Sequence, residues 1–399
     1  MKKRISKLLL STALVAGLLA GCSGGGQDTA PSGSSGGGSG DAEVIKIGAN
    51  LELSGGVASY GQSIAEGVDL AIEEINASGG IDGKKLEVVK VDNKSEAAEA
   101  TNAAIKLTSQ DKVTAIIGAA TSGNTVAQAQ IANDTNTILL TPSGTSPNVT
   151  VGEDGLNEYV FRMCFIDPFQ GTVAANFAAN ELGVRKAAIF ADSASDYAKG
   201  LAASFKETFE AAGGTIVAEE AYVAKDTDFR STLTRIKGQN PEFVFIPGYY
   251  EEVGLIIKQA REMGLNVPFM GADGWDSPKL IELAGAENLN NTFITNHYSS
   301  EDPDEKIQNF VTKFKEKYNG KSPDAFNALG YDSVYLLADA IKRAGSTDPV
   351  AIKDALAATK DLSLVTGIVT IDENHNPVKS ATVLEYVDGK QTFKTKVNP

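Results

Sequence analysis

From Val44 onward the apolar positions switch back and forth between two periods. Residues 45–53 (IKIGANLEL) run as a short β-branched strand into a loop. Residues 61–77 (GQSIAEGVDLAIEEINA) carry apolar side chains at helical spacing and stop at Gly79-Gly80. KLEVVKVD (85–92) is again a strand, SEAAEATNAAIKLTS (95–109) a helix and VTAIIGAA (113–120) a strand. NTVAQAQIAND (124–134) is a helix and NTILLTP (136–142) a strand. Short strands alternating with helices predict an α/β fold on a parallel sheet.

The cadence restarts at KAAIFAD (186–192) and continues through a helix over 198–214, a strand over 215–223 and a helix over 230–237. FVFIPG (243–248), a helix over 251–265 and PFMGAD (268–273) complete it. Tyr60 and Tyr197 each follow a first strand at the mouth of a helix. Each of those helices ends in Gly-Gly, at 79–80 and 213–214, which suits a left-handed C-terminal cap. The halves therefore read as two similar doubly wound, Rossmann-like lobes. Beyond residue 290 the alternation stops. Two long helical stretches (305–318 and 326–344) and hairpin-like strands (366–372 and 380–396) must be shared between the lobes or form a third unit. FRMCF (161–165), FITNH (293–297) and TGIVT (366–370) are the expected crossover strands.

The N-terminus has a different pattern. Lys2, Lys3, Arg4 and Lys7 precede a short apolar run (8–21) that fits an export signal better than a membrane span. Leu19-Ala20-Gly21-Cys22 matches the bacterial lipobox, which implies cleavage after residue 21 and lipid on Cys22. Residues 23–41, rich in Gly and Ser, form a tether with almost nothing to bury. The whole chain carries 36 basic and 51 acidic residues, and the signal takes four of the basic ones, leaving −19. Such a surface repels nucleic acid and anionic lipid headgroups. With Cys22 lipidated, Cys164 has no disulfide partner.

Ligands of open α/β sheets bind beyond the carboxyl ends of the strands. Those ends lead here into AATSGNT (119–125), TPSGTSP (141–147), SASDY (193–197), YYEE (249–252) and ADGW (272–275). Ser122 to Thr125 open a helix, whose free amides favour an anion, although the same residues serve as a plain cap. Ser143 and Thr145 add hydroxyls and backbone groups for a small polar ligand. Asp273 is open to four readings: catalytic acid, metal ligand, helix cap or counter-ion for a cation. Asp276-Ser277-Pro278 make the better cap for the next helix. Trp275, the single tryptophan, either walls the ligand or packs beneath the loop. Two distant histidines, one cysteine besides Cys22 and no H-E-x-x-H or G-x-S-x-G motif suggest no cofactor, no metal and no enzyme. GGIDGKK (79–85) is an imperfect P-loop that follows a helix.

The blocks IKIGANLELSGGVASYGQSIAEGVDLAIEEINASGGIDGKKLEVVKVDN, IIGAATSGNT, ILLTPSGTSP, GYYEEVGLIIKQAREMGL and PFMGADG resemble, in order, the periplasmic binding proteins for branched-chain amino acids, the leucine/isoleucine/valine type. The resemblance spans Val44 to about Val397. It implies a type I clamshell with three hinge crossovers and the ligand in the cleft. One lobe would be 43–162 plus 296–366, the other 163–295 plus 367–399, after a signal (1–21) and a tether (22–42). It also implies that Ser122 holds the ligand carboxylate and that the Ser143 carbonyl and Thr145 hold the α-ammonium, Thr145 reaching the carboxylate too. Tyr60, Tyr197 and Tyr249 would line the cleft and Asp273 would face the ammonium. Family members with a disulfide have cysteines where Ser95 and Thr121 stand here, so that bridge is absent. Asp273 is also one methylene shorter than the glutamate of well-known leucine binders.

The expected function is a monomeric, lipid-anchored extracytoplasmic solute-binding protein. It would carry a small amino acid, branched-chain by the resemblance, to an ABC transporter permease. The alternatives are a binder of another small amino acid or amine, a ligand-sensing partner of a receptor, and an exported enzyme with Asp273 as general base. A sugar-type repressor shares the fold, but the signal and the acidic charge argue against it.

Overall fold

The structure, a computed structural model, describes residues 44–399. The expected signal, tether and lipidated Cys22 lie outside the described residues. In the first half, β1 (Val44–Leu51), β2 (Lys85–Asp92), β3 (Ala115–Gly118), β4 (Ile138–Thr141) and β7 (Val160–Arg162) form one sheet in the order β2-β1-β3-β4-β7, parallel throughout. Its helices are α1 (Ala58–Ala77), α2 (Ala97–Lys106) and α3 (Ser122–Thr135), and a small hairpin pairs β5 (Val151–Gly152) with β6 (Gly155–Leu156). β3 and β4 are buried at every position, because helices cover both faces of the sheet.

The second sheet is built from β8 (Lys186–Asp192), β9 (Thr215–Tyr222), β10 (Phe243–Phe245), β11 (Phe269–Gly271) and β12 (Thr292–Asn296), all parallel. The antiparallel β16 (Ala381–Val387) and β17 (Lys390–Val397) extend it, giving the order β17-β16-β12-β11-β10-β8-β9. α4 (Asp167–Asn176), α5 (Asp196–Ala211), α6 (Arg230–Gly238), α7 (Tyr250–Glu262) and α8 (Pro278–Ala284) connect it. The matching helix ends are real: Gly80 N donates to Ile75 O and Gly214 N to Phe209 O, both at 2.9 Å. α4 has no counterpart in the sequence reading, which assigns nothing between residues 166 and 185.

The remaining elements are α9 (Glu305–Lys317), α10 (Ala325–Ala344), α11 (Pro349–Ala357) and a three-stranded sheet of β13 (Leu362–Leu364), β14 (Gly367–Ile371) and β15 (Pro377–Val378). The C-terminal quarter is thus shared. α10 lies against α1, while β16 and β17 join the second sheet. α1 and α10 approach closely through glycines: a Cβ on Gly67 would sit 2.0 Å from Asn327 O, and one on Gly330 2.5 Å from Ile64 O.

The first two passages between the sheets follow β7 and β12, as expected. The third differs from the expected Thr366–Thr370. β14 stays in the small sheet with Val369 buried in the core, and His375 bonds Val160 O at 3.0 Å. The chain joins the second sheet only at Ala381. At that passage the buried Lys379 donates to Thr366 Oγ1 (2.5 Å) and Met163 O (3.3 Å), tying the third passage to the first. Burial pulls the Lys379 amine down to about 8, against the attraction of Asp332.

Gly67→Ala tests the helix contact. It should destabilise the protein by roughly 1–3 kcal/mol through overpacking, seen as a lower urea midpoint at unchanged slope. An unmoved midpoint would contradict the close approach of α1 and α10.

Candidate functional site

The turn after β11 places Asp273. Residues Asp273–Trp275 form one 3-10 turn, and Ser277 caps α8 by accepting from Lys279 N at 3.1 Å, with Pro278 in the first turn. Asp276 serves neither cap nor ligand. Its carboxylate accepts from Gln391 Nε2 (2.6 Å), Asn296 Nδ2 (2.9 Å) and Ala325 N (2.8 Å), joining β17, β12 and α10. Trp275 packs beneath the loop. It is fully buried, its indole N–H donates to Ile246 O at 2.9 Å, and a Cβ on Gly271 would lie 2.1 Å from its ring. Of the two readings left open for Trp275, packing beneath the loop is the one observed: the indole fills the space that Gly271 leaves open.

Freed from capping, the buried Asp273 carboxylate is held by three side chains. Oδ1 accepts from Tyr197 OH (2.9 Å) and Gln170 Nε2 (3.1 Å), and Oδ2 lies 3.0 Å from His297 Nε2. Burial lowers the His297 pKa, with Asp273 pulling the other way. The neutral ring therefore donates through Nε2–H and leaves Nδ1 bare, and Nδ1 has no partner. Tyr197 OH also accepts from Gly274 N at 2.9 Å. A Cβ on Gly274 would stand 2.7 Å from that oxygen and 2.8 Å from Gly248 O, so a larger residue would displace the tyrosine.

The three expected tyrosines come together. Tyr60, in the first turn of α1, donates to Gly274 O and accepts from Tyr250 N. Its ring meets Tyr249 edge-on at 5.8 Å, and Tyr249 stacks on Tyr197 at 5.0 Å. Burial raises the pKa of all three phenols, which stay protonated. Three further bonds cross here, between the Ser59 and Ser277 hydroxyls (2.7 Å), from Tyr250 OH to Gly56 O (2.9 Å) and from Ser59 N to Tyr250 OH (3.3 Å).

On the first sheet, the loops after β3 and β4 are fastened to each other. Ser146 N donates to Ser122 Oγ (3.1 Å) and Ser143 Oγ to Ala120 O (2.7 Å). The side chains of Ser122 and Ser143 are thereby engaged within the protein, and the Thr145 side chain bonds the Asp167 carboxyl. The start of α3 is not empty of negative charge. Glu52, fully buried, accepts from Ala120 N (2.9 Å), Thr121 N (3.1 Å), Thr121 Oγ1 (2.9 Å) and Asn124 Nδ2 (2.9 Å). The loops connect to Asp273 through α4. Asp167 N donates to Thr145 O (3.0 Å), and Gln170 Nε2 reaches both Asp167 Oδ1 (3.2 Å) and Asp273 Oδ1.

The structure brings the expected Tyr60, Ser122, Ser143, Thr145, Tyr197, Tyr249 and Asp273 to the facing strand ends, together with the buried Glu52, Asp167, Gln170 and His297, which the sequence reading does not single out. Asp167-Pro168 was the available signal, an acid followed by proline at a helix start. Chemically, the arrangement offers carboxylates and a carbonyl for a cation, hydroxyls and first-turn amides for an anion, and aromatic faces between them. Among the described residues no group of three or more His, Cys, Asp or Glu is arranged to hold a metal. Burial pushes the Cys164 thiol up to about 12, which removes it as a nucleophile.

Residues 44–391 match the model of the periplasmic binding protein family. The chain is 31% identical over 356 residues to the leucine-, isoleucine-, valine-, threonine- and alanine-binding protein of Pseudomonas aeruginosa, covering 89% of this chain and 93% of that one. The fold resembles the branched-chain amino acid transporter substrate-binding protein LivJ of Streptococcus pneumoniae in complex with isoleucine. That likeness has a TM-score of 0.85 and 42% identity, over 90% of this chain and 100% of that one. It also resembles the leucine-binding protein LivK of Thermotoga maritima, with a TM-score of 0.84 and 38% identity over 89% and 99% of the two chains. The chain belongs to the periplasmic binding protein family, the family whose motifs its sequence resembles.

Proposed function

We propose that the protein is an extracytoplasmic solute-binding protein of an ABC importer that captures a branched-chain amino acid and delivers it to the membrane permease. The observation that carries this reading is the pairing of a buried, side-chain-held Asp273 with the Ser122, Ser143 and Thr145 loops on the other sheet. A zwitterion needs an anion site and a cation site a few ångströms apart, and the two sheets each supply one. Tyr60, Tyr197 and Tyr249 give an apolar side chain its contact area. The names of the relatives support leucine, isoleucine and valine as the class. The two lobes would hinge at the three passages, and the ligand would favour the closed form because it touches both lobes only there. In this reading the protein acts as a monomer, and Cys22 carries the lipid that keeps it at the outer face of the membrane. A binder of another small amine, or a sensing partner of a receptor, would use the same clamp.

A thermal-shift screen over amino acids, small amines and small carboxylates tests the class. A ligand at 100 times its Kd adds about 2.7 kcal/mol of stability. Leucine, isoleucine or valine should raise the melting temperature most, and a flat response to all amino acids sinks the proposal. Asp273→Asn keeps the side-chain shape and should weaken leucine binding roughly 10- to 100-fold, the worth of one charge-assisted hydrogen bond. Calorimetry showing affinity within a few-fold of wild type removes Asp273 from the ammonium site. Cys22→Ser should abolish fatty-acid labelling and release the protein from the membrane fraction; continued labelling excludes Cys22 as the anchor.

A further inference from the structure

Two helices meet end to end across the cleft, and among the described residues neither is capped by the side chain that precedes it. α1 starts after Val57, which is aliphatic, and α7 starts after Tyr249, which makes no capping bond. A helix start leaves its first-turn N–H groups without partners inside the helix, and leaving one buried and unpaired is costly. Here each helix is capped by the other. Tyr250 OH, on α7, accepts from Ser59 N in the first turn of α1 at 3.3 Å. Tyr60 OH, on α1, accepts from Tyr250 N, the first amide of α7, also at 3.3 Å.

The phenol protons are exchanged in the same way. Tyr250 OH donates to Gly56 O (2.9 Å), just before α1, and Tyr60 OH donates to Gly274 O, just after β11. Each hydroxyl therefore donates once and accepts once, always across the cleft. The two rings meet edge-on with centroids 5.0 Å apart, and the Ser59 and Ser277 hydroxyls add a bond of 2.7 Å on the same seam. Glycine at position 56 permits the approach: a Cβ there would stand 2.6 Å from the Glu251 carboxylate of α7. An ordinary cap comes from the residue before the helix and travels with it. These caps come from residues about 190 positions away, on the other sheet, and hold only while the two sheets stand this close. Parting the sheets uncaps both helices together.

We propose that Tyr60 and Tyr250 form a reciprocal capping lock between the lobes, and that Tyr250 is a positioning residue that sets ligand affinity through the lifetime of the closed form without touching the ligand. This rests on the reading above of a two-lobed binder that closes on an amino acid. A ligand enters while the cleft is open, when the lock is not yet made, so the lock leaves association unchanged. Escape requires opening, which breaks both caps and the bonds to Gly56 O and Gly274 O. The lock therefore acts on the dissociation rate, which is where affinity is usually tuned. Tyr60 connects it to the ligand: its hydroxyl belongs to the lock, while its ring meets Tyr249 in the cleft.

Tyr250→Phe removes one oxygen and keeps the ring. Stopped-flow measurement of L-leucine binding should show an association rate within twofold of wild type and a dissociation rate roughly 5- to 30-fold faster, as expected when Ser59 N and Gly56 O are left buried without a partner. The order of preference among amino acids should stay as in the wild type. A dissociation rate within twofold of wild type, or a loss confined to association, overturns the lock and leaves the amino-acid reading standing. Amide hydrogen exchange on the wild type needs no variant to fold: saturating leucine should slow the Ser59 and Tyr250 amides together. Leucine binding that slows neither, or only one, overturns the lock as well. If the wild type takes no amino acid, the functional reading falls, and the lock is judged on the ligand-free protein. There the Ser59 amide must exchange faster in Tyr250→Phe than in wild type, and equal rates overturn it.

Discussion

A carboxylate out of water must be surrounded by donors, and at Asp273 that requirement organises the molecule. Its three donors come from three separate elements: Gln170 from α4, Tyr197 from α5 and His297 from the segment leaving β12. None is near Asp273 in sequence: the separations are 103, 76 and 24 residues. The anion thereby fixes where α4, α5 and the second passage sit relative to the end of β11. Removing one donor would leave a buried charge short of a partner, which is far costlier than losing a surface ion pair. The polar shell also fixes the direction in which the Asp273 carboxylate points.

The same group couples the site to the passages between the sheets. His297 stands at the exit from the second sheet and stacks on Phe165, which lies just past the first passage, at 3.9 Å. Lys379, at the third passage, bonds Met163 O in the first. Asp332 of α10 accepts from Val365 N (3.0 Å) and Thr366 N (2.7 Å), pinning the approach to the small sheet. The three passages are therefore joined by a ring stack and hydrogen bonds, with Asp273 one residue away at His297. A change in the lobes' relative position must act on these contacts, and His297 is where it would be felt at Asp273.

Much of this was legible in the sequence because it is local. Strand and helix periods, Gly-Gly helix ends and the loops at strand ends need only neighbouring residues to declare themselves, and they gave the two sheets and the strand-end loops that face each other. What stayed hidden depends on distant partners. α4 is short and carries no strong apolar stripe, so the sequence did not bring Asp167 and Gln170 to the strand ends. Glu52 reads as an exposed loop acid until the start of α3 closes over it. β14 has the composition of a crossover strand, but its partners β13 and β15 keep it in a separate sheet. Trp275 could not be placed because its pocket exists only where Gly271 and Ile246 meet it in space.

The three buried acids of the cleft differ in how fully the protein satisfies them, and this ranks their roles. Glu52 accepts four hydrogen bonds, about the capacity of a carboxylate, and so belongs to the architecture of the α3 start. Asp273 accepts three and has room for one more. Asp167 accepts from Gln170 Nε2 at Oδ1 and is held by the Thr145 side chain as well, against the burial that raises its pKa. It is thus tied back to the first sheet's loops, while the donors to Asp273 come from α4, α5 and the segment leaving β12, so the two acids stand on opposite anchorages.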